Sequence, residues 1–470
     1  MADPGDPRID FQNTEIAFSY KTDRQLRQAY HLFRFMNHPT LVRIGTTLGR
    51  VAARIPLGLA DPIIEATIFR QFCGGTSLLN CQRIIDNLNK HKTLTILDYG
   101  VEAKENDEDF QKTLDENLKA IEFAYSNPNV PVISTKLTGY VPMIVLEKLQ
   151  SGVSLNAQEQ MQWQRLRDRF RKLCEKAHEF GVSIFVDAEE SWIQDPLDQL
   201  VNEYMALFNR EKPIIYNTFQ MYRNDRLSFL HQSYEMARQG NYIFGAKLVR
   251  GAYMEKERQR AADKGYPSPI HVNKESTDKD YDEAVRFTLD HIEDISMVNA
   301  SHNWESNALQ VELVERKGIS KDHPFVNFCQ LLGMSDNLTF NLAHRGYHVA
   351  KYVPYGPVRE VIPYLIRRAE ENSSVTGDKG KVGVVFYNSG KLVVQGKETR
   401  EFVEFVLEPE ILKEAKLGYE TVLNPDLVLP RLGVDESGKG DYFGPLCVAG
   451  VYVNEAVIKA WTDAGIRDSK

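Results

Sequence analysis

Apolar and polar positions follow two different rhythms along the chain, and the change falls near residue 94. Before it the rhythm is helical. Asp23 to Met36 carries Leu26, Ala29, Tyr30, Phe33 and Met36 at steps of three and four, which gathers them on one helix face. Asp61-Pro62 then opens the apolar-periodic stretch IIEATIFRQF, with Asp placed to cap and Pro at the first turn. This spacing predicts a mainly helical segment over residues 1–90.

From residue 94 short, nearly continuous apolar runs recur, each followed by a longer amphipathic stretch. They are LTILDY (94–99), VPVISTKLTG (130–139), VSIFVDAEE (182–190), PIIYNTFQ (213–220), FGAKLVRGAY (244–253), ISMVNASHN (295–303), FVNFCQLLG (325–333) and YHVAKYVPYG (347–356). Runs that are apolar on both faces and separated by helices predict parallel strands covered on both sides. Eight of them match the strand count and the roughly 250-residue span of a (βα)8 barrel. A doubly wound open sheet is the alternative, but no GxGxxG follows an early strand. The predicted fold is therefore α/β, a TIM-like (βα)8 barrel over 91–376.

Each predicted strand ends in polar or reactive residues: Lys136, Asp187, Gln220, Arg250 with Tyr253, His302, and Tyr352. In a barrel these ends form one rim, where such sites lie. Taken singly, Asp187 reads as a helix cap, Lys136 as a solvated lysine and His302 as a satisfied core histidine; recurrence at equivalent positions favours a site. Beyond the eighth run, YLIRRAEE places Tyr364, Arg367, Arg368 and Glu371 on one helical face. Two guanidiniums beside a phenol suit bidentate recognition of a carboxylate, and a surface salt-bridge face is the competing reading.

Composition narrows the class of partner. The charge balance of 57 − 65 = −8 does not advertise a nucleic-acid binder. Five scattered cysteines without a CxxC pair argue against a disulfide scaffold or a cysteine zinc site. No apolar run approaches the ~20 residues of a membrane span, and MADPGDPRID lacks the parts of a secretory signal. The expected location is cytoplasmic.

Six segments, STKLTGY (134–140), FVDAEES (185–191), KLVRGAY (247–253), NASHN (299–303), CQLLGM (329–334) and YLIRRAEEN (364–372), together resemble proline dehydrogenase over about residues 11–375. The resemblance implies a distorted (βα)8 barrel that binds FAD at the strand C-termini and oxidises L-proline to Δ1-pyrroline-5-carboxylate. It further implies that electrons pass to a quinone through peripheral contact with the inner face of the membrane. By the same resemblance, Lys136, Arg367 and Arg368 would hold the proline carboxylate, and Tyr253, Leu331, Tyr352 and Tyr364 would pack around the ring. Asp187 and Lys247 would be the catalytic pair. Arg250, Gly251, Ala252, Ser301, His302 and Glu371 would contact FAD, as would Asn217 or Gln220, between which the strand-four alignment does not choose. Asp187, beside several cations, should have a depressed pKa.

The tail departs from this pattern. KVGVVFYNSGKLVVQG (381–396) predicts two strands joined through Asn388-Ser389-Gly390, and ETREFVEFVLEPEILKEA predicts a helix. GVDESGKGDYFGP resembles bacterial ribonuclease HIII. By that resemblance, 377–430 is part of its substrate-binding domain and 431–470 is an incomplete α+β catalytic fragment. Asp435 and Glu436 would be metal ligands only in an intact domain, so no metal site and no ribonuclease activity are expected. The readings to be weighed are a proline dehydrogenase with an inert appendage, an RNA/DNA-hybrid-binding protein acting through the tail, and a catalytically impaired barrel.

Overall fold

The computed structural model describes residues 9–36, 61–100 and 106–369, and four strands of the tail. The chain divides into two compact units, Met1–Ser373 and Ser374–Lys470.

In the first unit eight parallel strands close on themselves in sequence order. They are β1 (Leu94–Tyr99), β2 (Val132–Thr135), β3 (Ser183–Val186), β4 (Ile215–Gln220), β5 (Phe244–Val249), β6 (Ile295–Asn299), β7 (Val326–Leu331) and β8 (His348–Tyr355). All eight predicted runs are strands, and closure comes from β8 pairing with β1, from Leu94 opposite Ala350 to Tyr99 opposite Tyr355. Strand side chains alternate, so each strand feeds two cores. Ile96, Phe185, Tyr216, Val298, Cys329 and Tyr352 fill the barrel interior. The opposite faces pack under the surrounding helices in one large apolar cluster.

Helix ends follow local chemistry. Ala157–Phe180 starts in a capping box, with Asn156 accepting from the Glu159 N–H and Glu159 reaching back to the Asn156 N–H, and ends at Gly181 with φ +66°. Such caps satisfy N–H groups that a helix start leaves without partners.

Before the barrel, Asp23–Met36 forms the helix predicted, with Met36 buried and Leu26, Ala29 and Phe33 half-buried, while Tyr30 of the expected apolar face is exposed. The stretch opened by Asp61 is helical as well, but its middle, Glu65–Phe69, is a wide π-turn that apolar periodicity does not distinguish from an α-turn. Its Phe69 and Phe72 join Met36, Val361, Tyr364, Leu365 and Ala369 in a second apolar cluster. That cluster seats the helical residues 362–369, which carry Arg367 and Arg368. Residues 73–76 anchor the same region to the end of β8, the Gly74 N–H donating to the Pro354 carbonyl at 2.8 Å.

In the second unit, Gly383–Phe386 pairs antiparallel with Leu392–Gln395, as the hairpin signal predicts. Arg431–Ser437 pairs antiparallel with Cys447–Val453. The helix predicted from ETREFVEFVLEPEILKEA lies outside the described residues.

Candidate active site

The site is built where the strands end. At its centre the Asp187 carboxylate, just past β3, receives the Lys247 ammonium of β5 at 2.5 Å. It also receives the Tyr352 hydroxyl of β8 at 2.6 Å and the Ser134 hydroxyl of β2 at 3.1 Å. Four strands thus converge on one acid. Burial by itself would push the Asp187 pKa up, but Lys247, the Tyr352 hydrogen bond and Lys136 outweigh it, and the pKa is lowered. Tyr352 goes the other way: burial first, then the Asp187 charge, drive its pKa well above the ordinary value. Tyr352 is therefore a neutral donor to an anionic Asp187.

A cavity of about 230 Å³ has walls that include Lys136, Glu189, Glu190, Tyr253, Lys256 and Arg367. Three residues selected from sequence, Lys136, Tyr253 and Arg367, therefore share one cavity although they come from three separate segments. Burial raises the Tyr253 pKa to about 12, which keeps its hydroxyl neutral. Arg368, 6% exposed, stacks its guanidinium 5.1 Å from the Tyr364 ring centre. Leu331 is half-buried against the interior cluster that contains Tyr352. Glu371 lies outside the described residues.

Glu189 was not singled out from the sequence, although it stands two residues after Asp187. Its carboxylate accepts the Thr138 N–H at 3.1 Å and the Thr138 hydroxyl, which fixes the turn that follows Lys136. Its backbone carbonyl accepts from Gln220 Nε2 at 2.7 Å. Burial, only partly opposed by Lys136 and Thr138, raises its pKa from 4.5 to about 7. A raised acid pKa contributes stability that is complete below the unfolded value and is lost as pH rises through the folded one. Wild-type stability should therefore fall by up to about 3 kcal/mol from this group between pH 5 and pH 8. Glu189→Gln, neutral throughout, should flatten that slope in urea melts at the two pH values; parallel slopes would remove the assignment.

A second wall runs along the ends of β4, β5 and β6. Tyr216 points into the barrel, so alternation turns Gln220 inward and Asn217 outward. Asn217 Nδ2 donates to Asp198 at 2.9 Å on the helix behind the strand, so its side chain turns away from the barrel interior. Gln220 turns inward, its Oε1 accepting the Ala252 N–H at 3.3 Å. The Arg250 guanidinium is held by Asp278 at 2.6 Å, by the Ser301 and Ser306 hydroxyls at 2.6 and 3.0 Å, and by the Tyr281 ring beneath it. Gly251 has φ +137°, and a Cβ there would stand 2.4 Å from the Tyr222 ring. Gly251→Ala should cost about 2–4 kcal/mol from strain and overpacking, measured by thermal unfolding. Adding Tyr222→Ala should relieve the clash but not the backbone strain.

His302 completes this wall, its Nδ1 2.9 Å from the Ser335 hydroxyl. Its side chain is exposed at the surface, yet the surrounding protein desolvates it. That desolvation, with the charges of Lys351, Arg368 and Arg250, pushes its pKa down to about 3, so the imidazole is neutral. A fixed guanidinium, a neutral imidazole and the inward amide of Gln220 suit an anionic cofactor with polar edges. Among the described residues, no group of three or more His, Cys, Asp or Glu side chains is placed to hold a metal ion.

Residues 81–379 match the proline dehydrogenase family, and residues 432–470 match ribonuclease HII. The chain belongs to the proline dehydrogenase family. It is 34% identical over 367 residues to proline dehydrogenase 1, mitochondrial, of Dictyostelium discoideum, covering 68% of this chain and 64% of that protein. With the carbapenem antibiotics biosynthesis protein CarD of Pectobacterium carotovorum subsp. carotovorum it shares 32% identity over 353 residues, 75% of this chain and 90% of that one. Human proline dehydrogenase 1, mitochondrial, is 42% identical over 221 residues, 46% of this chain and 37% of the human protein. The chain therefore spans under two thirds of the length of both mitochondrial relatives. Among solved structures, proline utilization A from Bdellovibrio bacteriovorus inactivated by N-propargylglycine superposes with a TM-score of 0.65 at 20% identity, over 77% of this chain and 42% of that one. That likeness concerns the fold.

Proposed function

We propose that the barrel oxidises L-proline to Δ1-pyrroline-5-carboxylate with FAD. The observation that carries this reading is the meeting of Lys136, Tyr253 and Arg367 in one cavity. Family membership supports it.

In this reading Lys136, Arg367 and Arg368 bind the carboxylate and fix the ring's orientation, which converts an encounter into near-attack geometry. Tyr253, Leu331, Tyr352 and Tyr364 enclose the ring and exclude water. The same cations favour loss of the proton from the bound amine. Asp187 balances them and, with Lys247, holds the Tyr352 hydroxyl in place. Arg250, Gly251, Ala252, Gln220, Ser301 and His302 fit FAD: the guanidinium suits its phosphates, and the glycine lets backbone approach closely. Bound FAD supplies the two-electron acceptor for the hydride that leaves proline C5.

We assign the next electron acceptor to a quinone, reached by peripheral membrane contact from the cytoplasm. Among the described residues no helix is long and apolar enough to cross a membrane. The tail has no part in this chemistry.

The test is one spectrum of the purified full chain, taken before and after anaerobic addition of L-proline. Flavin absorbance that bleaches on addition is expected. Folded, colourless protein that takes up no FAD would overturn the proposal.

A further inference from the structure

Lys351 is an unusual residue for the middle of a barrel strand: a lysine with 0% exposure in β8, next to Tyr352. Its ammonium lies 2.9 Å from the Asp336 carboxylate and donates to the carbonyls of Met334 at 2.5 Å and Leu331 at 3.2 Å. It thus grips both ends of the turn that follows β7. That turn is tight. Gly333 has φ +78°, with the Gln71 carbonyl oxygen 2.2 Å from where a Cβ would stand. Ser335 adopts φ +49° although it carries a side chain, a conformation that persists only where its surroundings impose it. The Ser335 hydroxyl is the one that meets His302 Nδ1.

Asp336 is held a second time, from outside the barrel. The Tyr20 hydroxyl donates to it at 2.6 Å and the Lys21 ammonium lies 3.1 Å away. The Tyr20 ring stacks on Phe340, with centres 4.3 Å apart. A second tie runs parallel: Thr339 donates to Gln330 at 2.8 Å, and Gln330 donates to the Ser301 carbonyl at 3.2 Å. Buried ion pairs of this kind add little stability over an apolar pair of equal volume. Their geometry is what they provide.

We propose that Lys351 and Asp336, braced by Tyr20 and Lys21 of the N-terminal segment, are positioning residues that set Ser335 and through it His302 at the FAD wall. The inference rests on the functional reading above, and it makes residues 20–21 part of the cofactor site although neither lies on the rim. Lys351 and Asp336 act through the turn, not on the flavin.

The experiment compares FAD dissociation constants and flavin absorbance maxima for the full chain and three variants. Tyr20→Phe keeps the ring on Phe340 but removes the hydroxyl from Asp336. Ser335→Gly adopts the same φ without strain but cannot hold His302. Asn337→Ala removes a different tie of the N-terminal segment, the one to the Phe11 carbonyl, and leaves Asp336 alone. Tyr20→Phe and Ser335→Gly should each weaken FAD binding about five- to tenfold, the worth of one hydrogen bond, and shift the flavin spectrum alike. Asn337→Ala should bind FAD as wild type does. Wild-type affinity and spectrum in Tyr20→Phe and Ser335→Gly, even with a lowered melting temperature, would overturn the inference alone. So would an equal loss in Asn337→Ala. A wild-type chain that binds no FAD would instead bring down the functional reading, and this inference with it.

Discussion

Arg367→Met and Arg368→Met should each raise the KM for L-proline, by roughly 30- to 5,000-fold, the equivalent of about 2–5 kcal/mol for removing one partner from a desolvated charge pair. The two positions should not be equal. Arg367 is half-exposed on the cavity wall, where water screens its charge, and belongs at the low end. Arg368 is 6% exposed and belongs at the high end. If both guanidiniums hold the carboxylate in ground state and transition state alike, kcat at saturating proline should change far less than KM. Steady-state kinetics with L-proline check this. Unchanged KM in both variants would remove the carboxylate assignment, while a fall in kcat alone would move the arginines from binding to orientation.

Asp187→Ala should cost about 3–5 kcal/mol of folding stability, because it leaves the Lys247 ammonium, 4% exposed, without its counter-charge. Lys247→Met should cost a similar amount by stranding the carboxylate. The double variant should recover most of the loss, since an apolar pair in that space needs no counter-charge. Urea unfolding of the two single variants and the double closes the cycle. The pH dependence has a fixed sign. The Asp187 pKa lies below its ordinary 3.8 in the folded chain, so its contribution is present above that value and is lost as pH falls through the folded one. Acid unfolding should therefore be shallower in the double variant. Additive single losses would mean that the two groups do not support one another.

The eight strands were legible because a strand buried on both faces needs an almost unbroken apolar run, and nothing else in this chain has that texture at that spacing. Polar residues ending such runs pointed to the strand ends, where the structure places Asp187 with Lys247 and Tyr352 around it. Which side of a strand a residue takes was harder. Asn217 and Gln220 differ by three positions in β4, so they face opposite ways, and only Tyr216 in the barrel interior decides between them. Glu189 stands in the same FVDAEES segment as Asp187, but nothing in the spacing marks it as the acid that fixes the Thr138 turn. The Lys351 network was not legible. Its lysine stands inside an apolar run, and the carboxylate it meets is held by Tyr20, 316 positions away from Asp336. No local pattern encodes a contact at that separation.

The pairing of β1 with β8 joins the first strand to the last, Leu94 to Ala350. Contacts so far apart in sequence form late, because the loop entropy must be met before the pairing stabilises anything. During synthesis the ring stays open until residue 355 has emerged, and the segment bearing both guanidiniums follows it. Affinity for a small carboxylate-bearing molecule should thus arise as a single late event, with no partially assembled grip along the way.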